Sequence, residues 1–239
     1  MINLSLVPDD FDNRAKNLLD LKFFDQTSHP LPCGENVYSC PFDNQYILRM
    51  MVRSPTSGGF QIPPELDWLY ESIMWLNSNQ ITNNFLNEYV YVTVRHGIVT
   101  SETDDQWHVD GFSMRVPHVP EQNYVCSSVN PTEFARQPFP IPSDFDPFQH
   151  NIHNFLQDSV NVEPWQGEEN QVYLIDPYCV HRRPSQTQST MRTFWRISFI
   201  PIEIEDDTCT QNPLLPEKKY GRVDIRQNLK RYKSIINHV

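Results

Sequence analysis

The chain has 239 residues, with 19 Lys and Arg against 30 Asp and Glu, a formal charge of -11. A chain near this length suits one large domain with a self-sufficient core. Hydrophobic residues at 38 %, charged at 21 % and aromatic at 12 % exclude a membrane protein, a coiled coil, a small disulfide scaffold and global disorder. Charge is uneven. Residues 181–239 hold 11 of the basic side chains but only 6 of the acidic ones. An acidic body repels a nucleic-acid backbone, so no nucleic-acid partner is expected, and the basic stretch Lys218–Lys233 reads as a segment docking on that body. Five Cys, at 33, 40, 126, 179 and 209, form no metal-like pair, although Cys33 and Cys40 could join. The start, MINLSLVPDDFDNR, lacks a basic, apolar leader and no 18-residue apolar run exists, so a cytoplasmic protein is expected.

In chain order, residues 1–60 are irregular apart from YILRMMV (46–52), which reads as a strand. PPELDWLYESIMWL (63–76) predicts a helix burying Leu66, Leu69, Tyr70, Ile73 and Met74, with Pro63 and Pro64 at a tolerated start. From about residue 88 the texture changes to β-branched and aromatic runs: 89–97, 112–116, 124–129, 172–176 and 193–204. A Pro-rich stretch, 130–170, separates the third and fourth of these; within it, 150–157 predicts a helical turn or two. Strands with turn-rich spacers and no regular strand–helix alternation predict a mainly β fold, an antiparallel barrel or jelly roll with a few flanking helices. The expected organisation is a single domain: a core over 88–204, an N-terminal elaboration over 1–87, and a basic tail over 205–239 that closes with a short amphipathic helix.

The sharpest local feature is Trp107-His108-Val109-Asp110-Gly111. On an extended segment His108 and Asp110 face the same way and can reach one ion. His181, directly after the strand at 172–176, is the best third ligand. Two imidazoles and one carboxylate leave open positions on an octahedral ion, as non-haem Fe(II) oxygenases require; zinc accepts the same donors. On the last strand Arg192, Phe194, Arg196 and Ser198 share a face. Arginines facing inward ask for an anion, and a guanidinium matches a carboxylate.

Together, His108, Asp110, His181 and the Arg196-Ile197-Ser198 run resemble the Fe(II)/2-oxoglutarate-dependent dioxygenase superfamily. The resemblance covers about residues 88–204. It implies a double-stranded β-helix (cupin-like jelly roll) in which His108, Asp110 and His181 hold Fe(II). Arg196 with Ser198 would clamp the far carboxylate of 2-oxoglutarate, while the spacing of one branch of the family selects Arg192 instead. Tyr124 is a candidate hydrogen-bond donor to the cosubstrate, and Trp107, Met114 and Arg115 would flank the substrate. The implied reaction uses O2 and converts 2-oxoglutarate to succinate and CO2 while oxidising an unactivated C–H by hydroxylation, desaturation or cyclisation. Spare arginines favour a small carboxylate-bearing substrate, such as an amino acid or a secondary-metabolite intermediate. The alternatives are a cupin-like metalloenzyme that does not use 2-oxoglutarate, and a metal-free β-barrel binding protein. His150 and His153 are expected at the surface, His96 in a structural role or a pocket wall, and Arg182 and Arg183 in solvent.

Overall fold

Strands that send alternate side chains to opposite faces, the central ones buried on both, and a three-four burial pattern along one helix organise the fold. The computed structural model describes residues 20–79, 89–99, 106–111, 121–146, 149–184, 189–200, 203–204 and 209–216. Among them are nine strands: β1 (Leu31–Glu35), β2 (Tyr46–Arg53), β3 (Tyr89–Val99), β4 (Gln122–Ser127), β5 (Glu133–Phe134), β6 (Trp165–Gln166), β7 (Gln171–Ile175), β8 (His181–Arg182) and β9 (Thr190–Ile200). Two α-helices accompany them, α1 (Tyr70–Ser78) and α2 (Ile152–Ser159). Every named strand pair is antiparallel. The large sheet runs β1-β7-β4-β9-β3-β2 and the small one β6-β5-β8, with His108 bridged to the free side of β8. From β3 onward the chain moves between the sheets: β3 large, His108 small, β4 large, β5 and β6 small, β7 large, β8 small, β9 large.

The predicted helix differs in its first half. Pro64–Leu69 winds as a 3-10 segment, and α-geometry begins only at Tyr70. Pro63 and Pro64 remove two N–H donors, and no side chain caps the start. The tighter winding rotates the buried stripe, so Leu66, Leu69, Ile73 and Leu76 go inward while Tyr70 is exposed. Helix α2 has the turn or two expected, beginning at Ile152 because the Asn151 side chain accepts from the His153 N–H (2.9 Å) and caps it. The predicted strand at 112–116 and the tail helix lie outside the described residues.

β9 shows how the core divides. Trp195, Ile197 and Phe199 pack with Val90, Val92 and Val94 of β3 against the 3-10 segment and α1. Each of the three is essentially removed from water, worth ~2–3 kcal/mol per side chain. The alternate residues, Arg192, Phe194 and Arg196, face the other way, into a pocket. All five cysteines are free thiols, those at 33, 126 and 179 buried, so Cys33 and Cys40 are not joined. No helix among the described residues is long and apolar enough to cross a membrane.

Candidate metal centre and its pocket

The same alternation builds the centre. Trp107 and Val109, and across from them Tyr178 and Val180, are buried in one apolar cluster with Ile152 and Leu156 of α2. Their neighbours His108, Asp110 and His181 therefore project to the opposite side. Two restraints hold the segments. The backbone N–H of Trp107 donates to the Gln157 side chain of α2 (2.9 Å), and Asp176 accepts from Ser28 Oγ and from the Tyr178 N–H (2.7 and 2.8 Å) at the turn from β7 towards β8. His108 and His181 then exchange both backbone hydrogen bonds, at 3.0 and 2.9 Å. That pairing brings their rings to 4.4 Å between centroids.

One donor atom each from His108, Asp110 and His181 lies within 4.8 Å of the others. Nδ1 of His108 is 2.8 Å from the Gln106 carbonyl, and Nδ1 of His181 is 2.8 Å from the Cys179 carbonyl. A carbonyl only accepts, so each Nδ1 carries a proton and each Nε2 is the nitrogen left to face a metal. Burial, followed by the charge of His108, lowers the His181 pKa to about 4, which leaves it neutral near pH 7. Burial opposes ionisation of Asp110, but Arg196, His181 and His108 more than offset it and hold the carboxyl well below the usual carboxylate range. Asp110 Oδ1 takes Arg196 Nη1 at 2.6 Å, whereas Oδ2 is buried and lacks any hydrogen bond. The two imidazoles, that of His181 neutral near pH 7, and an anionic oxygen without a hydrogen bond are a donor set that fits a divalent transition metal.

The triad opens into a cavity of about 820 Å³. Five arginines line it (95, 182, 183, 192 and 196), and Asp110 is the only carboxylate among its described lining residues. In a chain of charge -11 that concentration is local. Arg182 is satisfied: Nε donates to Glu133 at 2.7 Å, and the guanidinium lies over Trp107 at 4.4 Å. Arg196 sits between Asp110 and Glu121, and both carboxylates raise its pKa. Glu121 is itself pushed up by burial and by Asp110. Behind it runs a chain of bonds: Ser198 Oγ donates to Asn123 Oδ1 (2.5 Å), and Asn123 Nδ2 donates to Glu121 Oε1 (2.8 Å). Arg192 is buried and braced by acceptors. Its Nε donates to the carbonyls of Val129 and Asn130 (3.2 and 3.0 Å) and Nη2 to Ser127 Oγ (2.7 Å). Burial, then the charges of Arg183 and Arg95, pull its pKa down to about 10.

Of the residues singled out from sequence, His108, Asp110, His181, Arg192, Arg196 and Trp107 meet at this pocket. Ser198 does not line it; the side chain is buried against Asn123. Tyr124 lies on the other face of β4, packed edge-on to Phe199 in the core, and its hydroxyl accepts from Gln122. Met114 and Arg115 lie outside the described residues. His153, expected at the surface, is instead part of the pocket wall, 6.1 Å from the His108 ring, because the capped helix turns it inward. His150 is exposed, as expected. His96 is a buried wall residue whose Nδ1 is 2.8 Å from Thr193 Oγ1. Arg183 is half-buried rather than in solvent. Glu121 was missed by sequence reasoning: a single Glu before a strand carries no signal until the fold brings it to Arg196.

No family model matches the chain, and no curated protein does. Similar solved structures include EvdMO1 (11 % identity, TM-score 0.41), where 75 % of this chain aligns with 48 % of that one. AviO1 from Streptomyces viridochromogenes Tue57 has 13 % identity and a TM-score of 0.41, covering 81 % of this chain and 96 % of AviO1. The nickel complex of ThoJ, a non-heme monooxygenase, has 12 % identity and a TM-score of 0.28, covering 62 % of this chain and 65 % of ThoJ. The chain thus spans about half the length of EvdMO1. At these TM-scores the likeness carries no argument about what the chain does.

Proposed function

We propose that this protein is a non-haem Fe(II)- and 2-oxoglutarate-dependent oxygenase that oxidises an unactivated C–H of a small carboxylate-bearing molecule. The observation that carries the reading is the triad: two imidazoles whose Nδ1 atoms are held by carbonyls and one anionic oxygen without a hydrogen bond, 3.7 Å from His181 Nε2, converging in an arginine-lined cavity. An unsatisfied buried acceptor costs free energy, which a cation bound at that oxygen would offset. The alternation of β3 to β9 between two antiparallel sheets, with both histidines in the small one, supports a double-stranded β-helix as the frame.

In this reading His108, Asp110 and His181 hold the metal, and their carbonyl and guanidinium partners orient them. Bound Fe(II) would supply the redox chemistry that couples decarboxylation of 2-oxoglutarate to oxidation of the substrate by O2. Arg196 takes Asp110 as its partner and has Glu121 on its other side, so its surroundings are already anionic. Arg192 has no carboxylate partner among the described residues and is braced from behind, which favours it as anchor for the far carboxylate of the cosubstrate. Trp107 and His153 wall the space beside the triad and limit water there.

The test is anaerobic addition of Fe(II) and then 2-oxoglutarate to apo-protein, followed by the weak visible charge-transfer band of the chelate. The expected result is a band absent from His108→Ala. Iron binding without the band would move the reading to a cupin-like metalloenzyme that does not use 2-oxoglutarate. Failure to bind iron or any surrogate ion would leave a β-barrel binding protein.

A further inference from the structure

We infer that Arg183 binds an anionic group on the substrate, beside the guanidinium that anchors the cosubstrate; the inference rests on the oxygenase reading above. Each arginine at the pocket has a different state of satisfaction. Arg182 has Glu133 and Trp107, and Arg196 has Asp110. Arg192 has three acceptors but no counter-charge. Arg183 has neither: its Nε is buried with no hydrogen-bond partner, and among the described residues no carboxylate pairs with it. It lies close enough to Arg192 for its field to be felt there, ahead of that of Arg95. Two guanidinium groups repelling one another in one cavity are costly, and Asp110, the only carboxylate among its described lining residues, is already taken by Arg196. An external anion would supply the missing charge. One carboxylate of 2-oxoglutarate answers Arg192, and Arg183 remains for a second oxyanion.

Arg183 follows the metal-site residue His181 by two positions and lines the same cavity. An oxyanion held there fixes one end of the substrate within the space that the triad faces. Arg183 is thus a specificity residue: it selects acids over their amides or esters, and it places the anion and not the carbon that reacts. A guanidinium edge takes a planar carboxylate or a tetrahedral sulfate or phosphate alike.

The experiment titrates sulfate, and separately acetate, into full-length protein loaded with Mn(II) and saturated with 2-oxoglutarate, using calorimetry. Wild type, Arg183→Gln and Arg183→Lys are compared, with circular dichroism confirming that each folds. The expected result is that Arg183→Gln weakens anion binding tenfold or more and Arg183→Lys partly restores it. The affinity for 2-oxoglutarate should change less than threefold. Stronger sulfate binding would indicate a tetrahedral anion and stronger acetate binding a carboxylate. Equal anion affinity in wild type and Arg183→Gln overturns the inference, as does displacement of 2-oxoglutarate by the anion one for one. If 2-oxoglutarate fails to bind at all, the oxygenase reading falls. The same anion titration without it still reports on Arg183.

Discussion

Arg196→Met isolates what the Asp110 ion pair contributes. The side chains of Asp110 and Arg196 are 15 % and 17 % exposed and meet at 2.6 Å. Among the described residues nothing hydrogen-bonds Asp110 Oδ2, so the substitution leaves a nearly dry carboxylate with neither oxygen met, and Glu121 close by also loses the stronger of the two cations that act on it. Removing one partner of a buried pair typically costs 3–5 kcal/mol. Residual exposure and the option of protonating Asp110 place this case near the lower end, about 3 kcal/mol, or roughly 6–12 °C in Tm for a domain of this size. A divalent ion reverses the loss. In wild type Arg196 on Oδ1 already meets much of the Asp110 charge and an ion would take Oδ2, whereas in the variant the ion would replace the missing charge. Urea denaturation at pH 7 with EDTA and with Mn(II) reads both effects: the variant should be less stable without metal and gain more from Mn(II) than wild type. An apo variant as stable as wild type, or an equal gain from Mn(II) in both, would refute the view that Arg196 and a metal share one carboxylate.

Three further outcomes are expected. His181 has a folded pKa of about 4 against an ordinary value near 6.5, so between those values the unfolded chain takes up a proton that the folded one refuses. Stability of the apo-protein should therefore fall as pH drops from about 6.5 to 4, by up to about 3 kcal/mol from this residue, and flatten below. The acid slope should shrink in His181→Asn, and an unchanged slope there would contradict the assignment. Arg192→Gln should weaken 2-oxoglutarate binding to the Mn(II) form tenfold or more, with partial recovery in Arg192→Lys; calorimetry showing wild-type affinity in Arg192→Gln would return the anchor to Arg196. Leu69→Ala, in the fully buried stripe behind β9, should cost about 2–5 kcal/mol by denaturant midpoint while leaving metal affinity per folded molecule intact.

Much of this was readable from residue parity. His108 and Asp110 face one way because Trp107 and Val109 are apolar and face the other, and the same logic sorts Arg192 and Arg196 from Trp195 and Ile197. The position of His181 just beyond a strand was visible for the same reason. What sequence could not supply was partnership across the chain. That Arg196 meets Asp110, and that Arg182 meets Glu133, depends on register between β5, β8 and the His108 bridge, which no local pattern encodes. Tyr124 shows the converse limit. An aromatic at a strand start reads the same whether it faces a pocket or the core, and here its cross-strand partner Ile197 puts it in the core. His153 was lost to a different cause: the short helix was legible, but which of its faces turns to the pocket was not, and the Asn151 cap and buried Ile152 and Leu156 set that.

β9 is a single ribbon that serves two masters. One side packs into the core, and the other carries Arg192 and Arg196 into the cavity. Because the two sides interleave residue by residue, changes of side chain on one are largely invisible to the other. Swapping Ile197 for another aliphatic alters packing without turning Arg196 away. A change in length is different. Inserting or deleting one residue ahead of Arg192 would exchange the sides wholesale, driving two guanidinium groups into the hydrocarbon interior and presenting Trp195 to the cavity. The strand can thus drift freely in composition while remaining fixed in count. Shifts in ligand preference in this scaffold should therefore arise by substitution at 183, 192 and 196 rather than by remodelling the strand that carries the last two.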